Sequence, residues 1–149
     1  MLIENLINNN PVDNIETPKL GINLPNTLSL DEIDKIISNI NLKSKTGKRN
    51  IAIVELLYSC GLRVSELIEL KISDLFFKES LIKVTGKGNK ERFVPISKLA
   101  QKYIFEYIKN SRNIKNINEG HEDTLFLNER GSKLSRVMIF SKLFIFFVI

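Results

Sequence analysis

The spacing of apolar residues changes near residue 75, and this change constrains the fold more than any other feature of the sequence. Before it, apolar residues recur every three or four positions, as in Leu30, Ile33, Ile36, Ile37 and Ile40. From Leu75 to Ile96 the pattern becomes three short β-prone runs, LFF, LIKVT and RFVPI, separated by KES and by the Gly-rich GKGN. Helical spacing then returns. We therefore predict an α+β fold that is mainly α-helical and contains a small three-stranded antiparallel sheet.

Capping residues indicate where the helices before the sheet begin and end. Ser29 and Glu32 have the spacing of a capping box, which predicts a first helix over residues 30–40. A second helix is predicted from about Arg49 to Gly61, because glycine tolerates the positive φ of a helix C-terminus. A third, short helix is expected in VSELIEL.

Two more helices are expected after the sheet. Ser97 is the predicted cap of the fourth helix, whose buried stripe should comprise Leu99, Tyr103, Ile104, Tyr107 and Ile108. An extended run, LFLN, and a turn at Arg130 follow, and Ser135 is placed to cap a last helix through VMIFSKLF. The three tyrosines, Tyr58, Tyr103 and Tyr107, lie on apolar helical stripes, so we predict that they pack in the core.

The length and composition favour a single domain. A chain of 149 residues, 43% of them hydrophobic, has material for one core but not for two. Residues 1–26, rich in Asn and Pro, are expected to be an arm or linker ahead of a domain over residues 27–149. One Cys and one His cannot form an intramolecular disulfide or a four-ligand zinc site, so we expect no metal site and a reducing, cytoplasmic location. The apolar end, LFIFFVI, is far shorter than the roughly 20 residues of a membrane span, so no membrane is expected.

Positive charge is concentrated in the later part of the chain. The chain has 22 Lys+Arg and 17 Asp+Glu, a net charge of +5, yet residues 1–42 hold two basic residues against six acidic ones. Two later stretches are basic without any acid: Lys43, Lys45, Lys48 and Arg49, and then Arg130, Lys133, Arg136 and Lys142. Such stretches suit a polyanionic partner, although solvated helix ends carry similar charge runs.

The first motif with possible chemistry is CGLRVSEL, residues 60–67. Arg63 follows a helix-stopping glycine, and its planar guanidinium can bind two phosphate oxygens at once. Glu66, three residues later, is spaced to hold that guanidinium in place. The alternative is a surface ion pair between Arg63 and Glu66, worth at most about 1 kcal/mol.

The second motif is VTGKGNKERFVP, residues 84–95. Lys87 stands between two glycines at a predicted hairpin tip, where little side-chain bulk surrounds it, so it can enter a groove or reach a reacting phosphate. Lys90 and Arg92 add charge to the same ribbon. The spacing of a Walker A loop is absent, and an ordinary solvated hairpin remains an equal alternative.

Taken together, GLRVSEL and GKGNKERFVP resemble the catalytic domain of the tyrosine recombinases, the lambda-integrase class, and most closely its Xer-type, chromosome-dimer-resolving branch. LPNTLSLDEIDKII, ISDL and LFLNERGSKLSR match in the same order, so the resemblance covers about residues 24–142. It implies a domain that binds duplex DNA as half of a C-shaped clamp. It also implies site-specific strand exchange, as in DNA recombination and integration and in chromosome partition, through a 3′-phosphotyrosyl bond and without a cofactor.

The resemblance also implies residue roles. Arg63 corresponds to the first of two arginines that stabilise the pentacoordinate phosphorane, and Lys87 to the lysine that protonates the leaving 5′-oxygen. Glu66 corresponds to a residue that orients Arg63. The expected DNA contacts are Lys43, Lys45, Lys48, Arg49, Lys90, Arg92, Lys133 and Arg136.

Other parts of the family pattern have no match in this sequence. The later His-x-Leu-Arg-His box is absent, and no Tyr follows Tyr107 to serve as nucleophile. We therefore expect a truncated catalytic domain, with residues 1–26 as the tail of a missing N-terminal DNA-binding domain. An exposed apolar tail at Phe144, Phe146, Phe147 and Ile149 would follow from the truncation.

Two other functions remain open at this point. One is a non-catalytic DNA-binding accessory or decoy that pairs with a full-length recombinase or forms a homo-oligomer on DNA. The other is a basic RNA-binding module, for which the hairpin and the positive charge suffice, although aromatic residues on strands are few.

Overall fold

The structure is a computed structural model that describes residues 27–112 and 117–147, the last six of these by backbone alone. Its regular elements are α1 (Leu30–Ser38), α2 (Gly47–Ser59), α3 (Val64–Glu69), β1 (Leu75–Phe76), β2 (Leu81–Thr85), β3 (Glu91–Pro95), α4 (Lys98–Asn110) and α5 (Arg136–Phe147). Short 3-10 turns at Ile72–Asp74 and Lys87–Asn89 precede β1 and join β2 to β3. The predicted class, mainly helical with one small antiparallel sheet, is confirmed.

Serine side chains start three of the helices, as predicted. At α1, Glu32 N donates to Ser29 Oγ at 3.3 Å and Ser29 N donates to Glu32 Oε2 at 2.7 Å, which completes the capping box. The hydroxyl of Ser97 accepts a backbone N–H at 3.0 Å at the start of α4. The hydroxyl of Ser135 does the same at 3.2 Å at the start of α5. Each bond satisfies an amide that has no partner within its own helix.

Helix α2 ends at a glycine, also as predicted. Cys60 is its C-cap, and Gly61 follows with φ of 59°, the left-handed conformation in which a side chain is strained. Four residues, from Cys60 to Arg63, join α2 to α3. This short connection positions Arg63, the residue that precedes α3.

The sheet is a meander in which the strands lie in chain order and all pairs are antiparallel. In β2, Ile82 and Val84 are completely buried, while Lys83 between them faces the other side. On that outer side, Phe76 and Phe93 meet edge to face with their ring centroids 5.6 Å apart. One face of the sheet therefore belongs to the core and the other faces outward.

The main core lies between α2, α4, the inner face of the sheet and the segment Leu125–Leu127. Leu125 and Phe126 are completely buried, and Tyr107 of α4 stacks on Phe126 with ring centroids 5.5 Å apart. The predicted extended run is therefore a central part of the core. It is held by isolated bridges, Lys71 with Thr124 and Leu127 with Lys133.

Two predicted core residues are exposed, so those predictions are wrong. Tyr58 is 49% exposed because it lies two residues after the fully buried Leu56, about 200° around α2. Leu99 is 48% exposed because the buried stripe of α4 begins at Ala100 and continues through the predicted Ile104 and Tyr107. Tyr103 is half-buried, beside that stripe.

Some predictions fall on parts of the chain that are not described. The proposed arm, residues 1–26, and the side chains of the apolar tail at residues 144–149 lie outside the described residues. Among the helices of the described residues, none is both long and apolar enough to cross a membrane.

Candidate functional site

Arg63 stands at the start of α3, with its side chain in solvent and its backbone held by Glu66. It is the N-cap residue, and its N–H donates to Glu66 Oε2 at 2.8 Å. Its Nη1 also donates to Glu66 Oε1 at 3.1 Å. The side chain of Arg63 is 75% exposed, whereas that of Glu66 is only 2% exposed. The predicted contact is therefore present, and a buried carboxylate supports a cation that points outward.

Arg92 of β3 binds the same carboxylate more tightly. Its Nη1 donates to Glu66 Oε1 at 2.7 Å, and its Nη2 donates to Oε2 at 3.0 Å. These bonds, with those from Arg63, lower the pKa of Glu66 from 4.5 to about 2 against the burial that would raise it. Glu66 is therefore ionised at neutral pH and joins two guanidinium groups from two elements.

The hairpin that carries Lys87 begins next to this cluster. A Cβ placed on Gly86 would lie 3.5 Å from Glu66 Oε1 and 3.6 Å from Arg92 Nη1, so the backbone of Gly86 packs against the ion pair. Gly86 N also donates to Lys90 O at 2.8 Å, which closes the turn. Lys87 follows directly and is exposed at the tip. The two motifs, which are more than twenty residues apart in sequence, thus meet at Glu66.

The other predicted DNA contacts are spread over several elements. Those that are exposed are Lys43, Lys45, Lys90, Arg92 and Arg136, and those that are half-buried are Lys48 and Lys133. Lys133 Nζ lies 2.7 Å from Glu69 Oε1, so part of its charge is neutralised.

Arg49 is a correction, because the structure does not place it on an outer surface. It is only 6% exposed, and its Nη1 donates to Leu127 O at 2.7 Å. Burial lowers the pKa of its guanidinium. The reason is its position in the first turn of α2, which faces the buried Leu125–Leu127 segment. Arg49 therefore packs inside the domain, whereas the run of basic residues to which it belongs predicts a contact with DNA.

The tyrosines have three different environments. Tyr107 is 2% exposed, and its hydroxyl accepts Leu127 N at 3.2 Å. Burial raises the pKa of that hydroxyl, which makes it a poorer nucleophile at neutral pH. Tyr103 is half-buried and Tyr58 is exposed on α2. Among the described residues, only Tyr58 has the access that a nucleophile needs, and it precedes Arg63 in the chain.

The bond from Arg92 to Glu66 is the part of the site that the sequence did not predict. Arg92 had been assigned to DNA contact because it lies on a basic ribbon. Only the pairing of Arg92 with Val84 in the sheet register brings it to the start of α3, and local spacing does not show that pairing. Within the described ranges, no three His, Cys, Asp or Glu residues are grouped as metal ligands.

The fold is similar to those of solved recombinases. A crystal structure of XerA recombinase matches 83% of this chain with a TM-score of 0.67 and 29% identity, over 42% of its own chain. A pre-cleavage complex of XerH site-specific recombinase bound to difH substrate matches 80% of this chain, with a TM-score of 0.67 and 26% identity, over 35% of its own chain.

Curated relatives agree with the structural comparison. Tyrosine recombinase XerD of Oceanobacillus iheyensis is 42% identical over 136 residues, which are 91% of this chain and 46% of the relative. Tyrosine recombinase XerD of Lacticaseibacillus casei is 39% identical over 143 residues, 96% of this chain and 48% of the relative. The chain thus spans less than half the length of these relatives. The phage integrase family matches residues 26–143, most of the chain, and with the motifs around Arg63 and Lys87 this shows that the chain belongs to the phage integrase family.

Proposed function

We propose that this chain binds duplex DNA as part of a tyrosine recombinase catalytic domain, and that it presents Arg63 and Lys87 to a backbone phosphate. The observation that carries the proposal is the exposed guanidinium of Arg63 held by a buried, ionised Glu66, with the Lys87 hairpin starting beside it. The similarity to XerD recombinases, and to an XerH structure bound to its difH substrate, supports the choice of DNA.

Arg63 suits the stabilisation of negative charge on phosphate. One of its nitrogens is bound to Glu66, and the remaining N–H groups face solvent, where they can donate to two non-bridging oxygens. The charge on those oxygens grows as phosphorus becomes pentacoordinate. A guanidinium fixed beforehand therefore stabilises the transition state more than the starting phosphate.

Lys87 suits proton donation. In the reaction that the family resemblance implies, a tyrosine oxygen attacks phosphorus, the bond from phosphorus to the 5′-oxygen breaks, and the leaving oxygen takes a proton. Lys87 is exposed at the end of a ribbon, with Gly88 at φ of 73° beside it, so its ammonium group can extend toward that oxygen.

We expect the chain by itself to form no phosphotyrosyl bond. The family's His-x-Leu-Arg-His box and later tyrosine have no match in this sequence, and Arg63 and Lys87 cannot replace a nucleophile. The test is incubation with a duplex substrate nicked near the scissile phosphate, followed by denaturing gel electrophoresis. No covalent adduct is expected. An adduct that disappears in Tyr58→Phe, Tyr103→Phe or Tyr107→Phe would contradict this proposal and identify the nucleophile.

DNA binding should be weak and strongly dependent on salt. Contacts to phosphate release counterions, and because these 149 residues span less than half the length of the XerD relatives, their dissociation constant should lie at about 10⁻⁴–10⁻⁶ M at physiological salt. Titration of a labelled duplex at about 50 and 200 mM salt measures both properties. Arg63→Ala and Lys87→Ala should each weaken binding a few-fold.

Lys78→Ala is the matched control, because Lys78 is an exposed lysine in the other turn of the same sheet. Its affinity for the duplex should equal that of the wild type. Tighter binding of structured RNA than of duplex DNA would favour the RNA-binding alternative, and affinity that does not change with salt would contradict both.

The partners and location follow from the same proposal. A full-length recombinase or a second copy of this chain on the same DNA is the expected protein partner, and the cytoplasm is the expected compartment.

A further inference from the structure

Glu66 accepts four hydrogen bonds, and half of them come from Arg92. Oε1 accepts from Nη1 of Arg63 and of Arg92, while Oε2 accepts from the backbone N–H of Arg63 and from Nη2 of Arg92. A carboxylate has about four lone-pair positions, so this one is fully used. The two bonds from Arg92 form a bidentate pair, which is the stronger and more directional arrangement.

Arg92 also favours the charged form of the carboxylate more than any other neighbour does. Burial to 2% exposure favours the neutral form of a carboxyl group, and the bonds from Arg92 are the largest influence in the opposite direction. Only the ionised form can accept from both arginines on both oxygens. Arg92 therefore strengthens the hold of Glu66 on Arg63, although Arg92 and Arg63 lie on different elements.

The same bonds connect the Lys87 hairpin to α3. Arg92 is in β3, the strand that leaves the hairpin, and Gly86, which enters it, packs against the ion pair. The strands on both sides of Lys87 are thus joined to the residue that holds Arg63. A shift of the hairpin would have to lengthen the bonds to Glu66.

We propose that Arg92 is a positioning residue, which acts through Glu66 on Arg63 and through β3 on the Lys87 hairpin, and that it is not a ligand of DNA phosphate. This revises the sequence-based assignment of Arg92 to DNA contact. The role of Arg63 in the inference rests on the proposed function, whereas the control of Glu66 by Arg92 does not.

The first experiment measures Glu66 without DNA. The pKa of its carboxyl group is followed by carbon-detected NMR in the wild type, Arg92→Lys and Arg92→Gln, with Lys83→Gln as control. Lys83 of the neighbouring strand β2 also bridges two carboxylates, Glu91 of β3 at 3.2 Å and Asp74 of the turn before β1 at 3.5 Å, but does not touch Glu66. The pKa of Glu66 should rise well above 2 in Arg92→Gln, rise less in Arg92→Lys, and stay unchanged in Lys83→Gln. An unchanged pKa in Arg92→Gln, with the fold retained, would overturn the proposal.

The second experiment distinguishes positioning from phosphate contact by a double-mutant cycle. Each lost phosphate contact reduces the slope of log affinity against log salt by about 0.9. The measurement is made at a pH below the raised pKa of Glu66 in Arg92→Gln. If Arg92 acts through Arg63, the double variant should lose no more contacts than Arg92→Gln alone. If Arg92 binds its own phosphate, the double variant should lose the sum of the two single losses, and the proposal is wrong.

The pH dependence of binding adds a readout that loss of packing would not produce. In Arg92→Gln, the affinity for duplex DNA should fall as pH falls through the raised pKa of Glu66, while the wild type shows no such fall in that range. Absence of any effect of Arg63→Ala on DNA binding would contradict the proposed function, and the NMR result would then still decide whether Arg92 controls Glu66.

Discussion

At the scale of single residues, the ionised state of Glu66 should make stability depend on pH. Its pKa is lower in the folded chain, about 2, than the ordinary value of 4.5. Its stabilising contribution is therefore complete above about pH 4.5 and is lost as the pH falls toward 2. A difference of this size adds on the order of 3 kcal/mol to the free energy of unfolding at neutral pH.

Urea unfolding of Glu66→Gln at several pH values tests this prediction. The variant should be less stable than the wild type at pH 7, and the difference should shrink steadily between pH 4.5 and 2. Glu69→Gln is the matched control, because Glu69 is on the same helix but its side chain is 56% exposed. A pH-independent difference for Glu66→Gln would show that shape, and not charge, is what the site requires.

The site could be predicted from sequence only as far as local spacing extends. Arg63 and Glu66 are three residues apart at the start of a helix, so their contact follows from helix geometry alone. The contact of Glu66 with Arg92 depends on how β3 pairs with β2 and how the sheet packs on α3. The burial of Arg49 depends likewise on a segment almost eighty residues away. Neither could be seen in a local pattern.

At the scale of elements, Gly47 at the start of α2 and Gly61 just after its end are required for different reasons. Substitution of each by alanine should distinguish the two reasons. A Cβ on Gly47 would lie 2.1 Å from Asn41 O, a distance at which backbone must move. Gly61 has open space around its Cβ position but a φ of 59°. Gly47→Ala should therefore cost about 2–3 kcal/mol through overpacking, and Gly61→Ala about 1 kcal/mol through strain.

Thermal and urea unfolding of the two variants, with the exposed Ser59→Ala as a reference in the same helix, gives these values. Equal losses of unfolding free energy in Gly47→Ala and Gly61→Ala would mean that the backbone around Asn41 moves at little cost. A larger loss in Gly61→Ala would mean that backbone strain costs more than the close contact at Gly47.

Helix starts were predictable because a side chain and an amide three residues later decide them. Ser29, Ser97 and Ser135 all cap the helices that they were expected to cap. Which face of each helix is buried was less predictable. Whether Tyr58 and Leu99 are buried depends on which of two adjacent apolar stripes of the helix faces the core, and both stripes are present in the sequence.

At the scale of the whole molecule, α5 presents apolar side chains on two sides. Ile139 is 3% exposed in the core, while Val137 is 75% and Phe140 is 54% exposed. An exposed apolar side of a helix favours association. Phe140→Glu should therefore lower self-association and raise solubility, with a change in stability within about 0.5 kcal/mol.

Sedimentation velocity over a range of protein concentrations tests this prediction. The apparent mass of the wild type should rise with concentration more steeply than that of Phe140→Glu. Ser141→Glu, which places the same charge on an exposed polar neighbour, is the control. If Ser141→Glu reduces association as much as Phe140→Glu does, the cause is the change in net charge and not the loss of an apolar side chain from α5.

The central place of Leu125–Leu127 has a consequence for how the protein is made. These residues pack in the middle of the core, yet the ribosome adds them after the sheet and after α2 and α4. During synthesis, Tyr107 of α4 therefore lacks the ring of Phe126 on which it stacks, and the core remains incomplete until this late segment emerges. Leu134 is buried, and its N–H donates to Phe126 O. A nascent chain stopped before Leu125 should be sensitive to protease and bound by chaperones, and one extended until Leu134 has left the ribosome should become resistant in a single step.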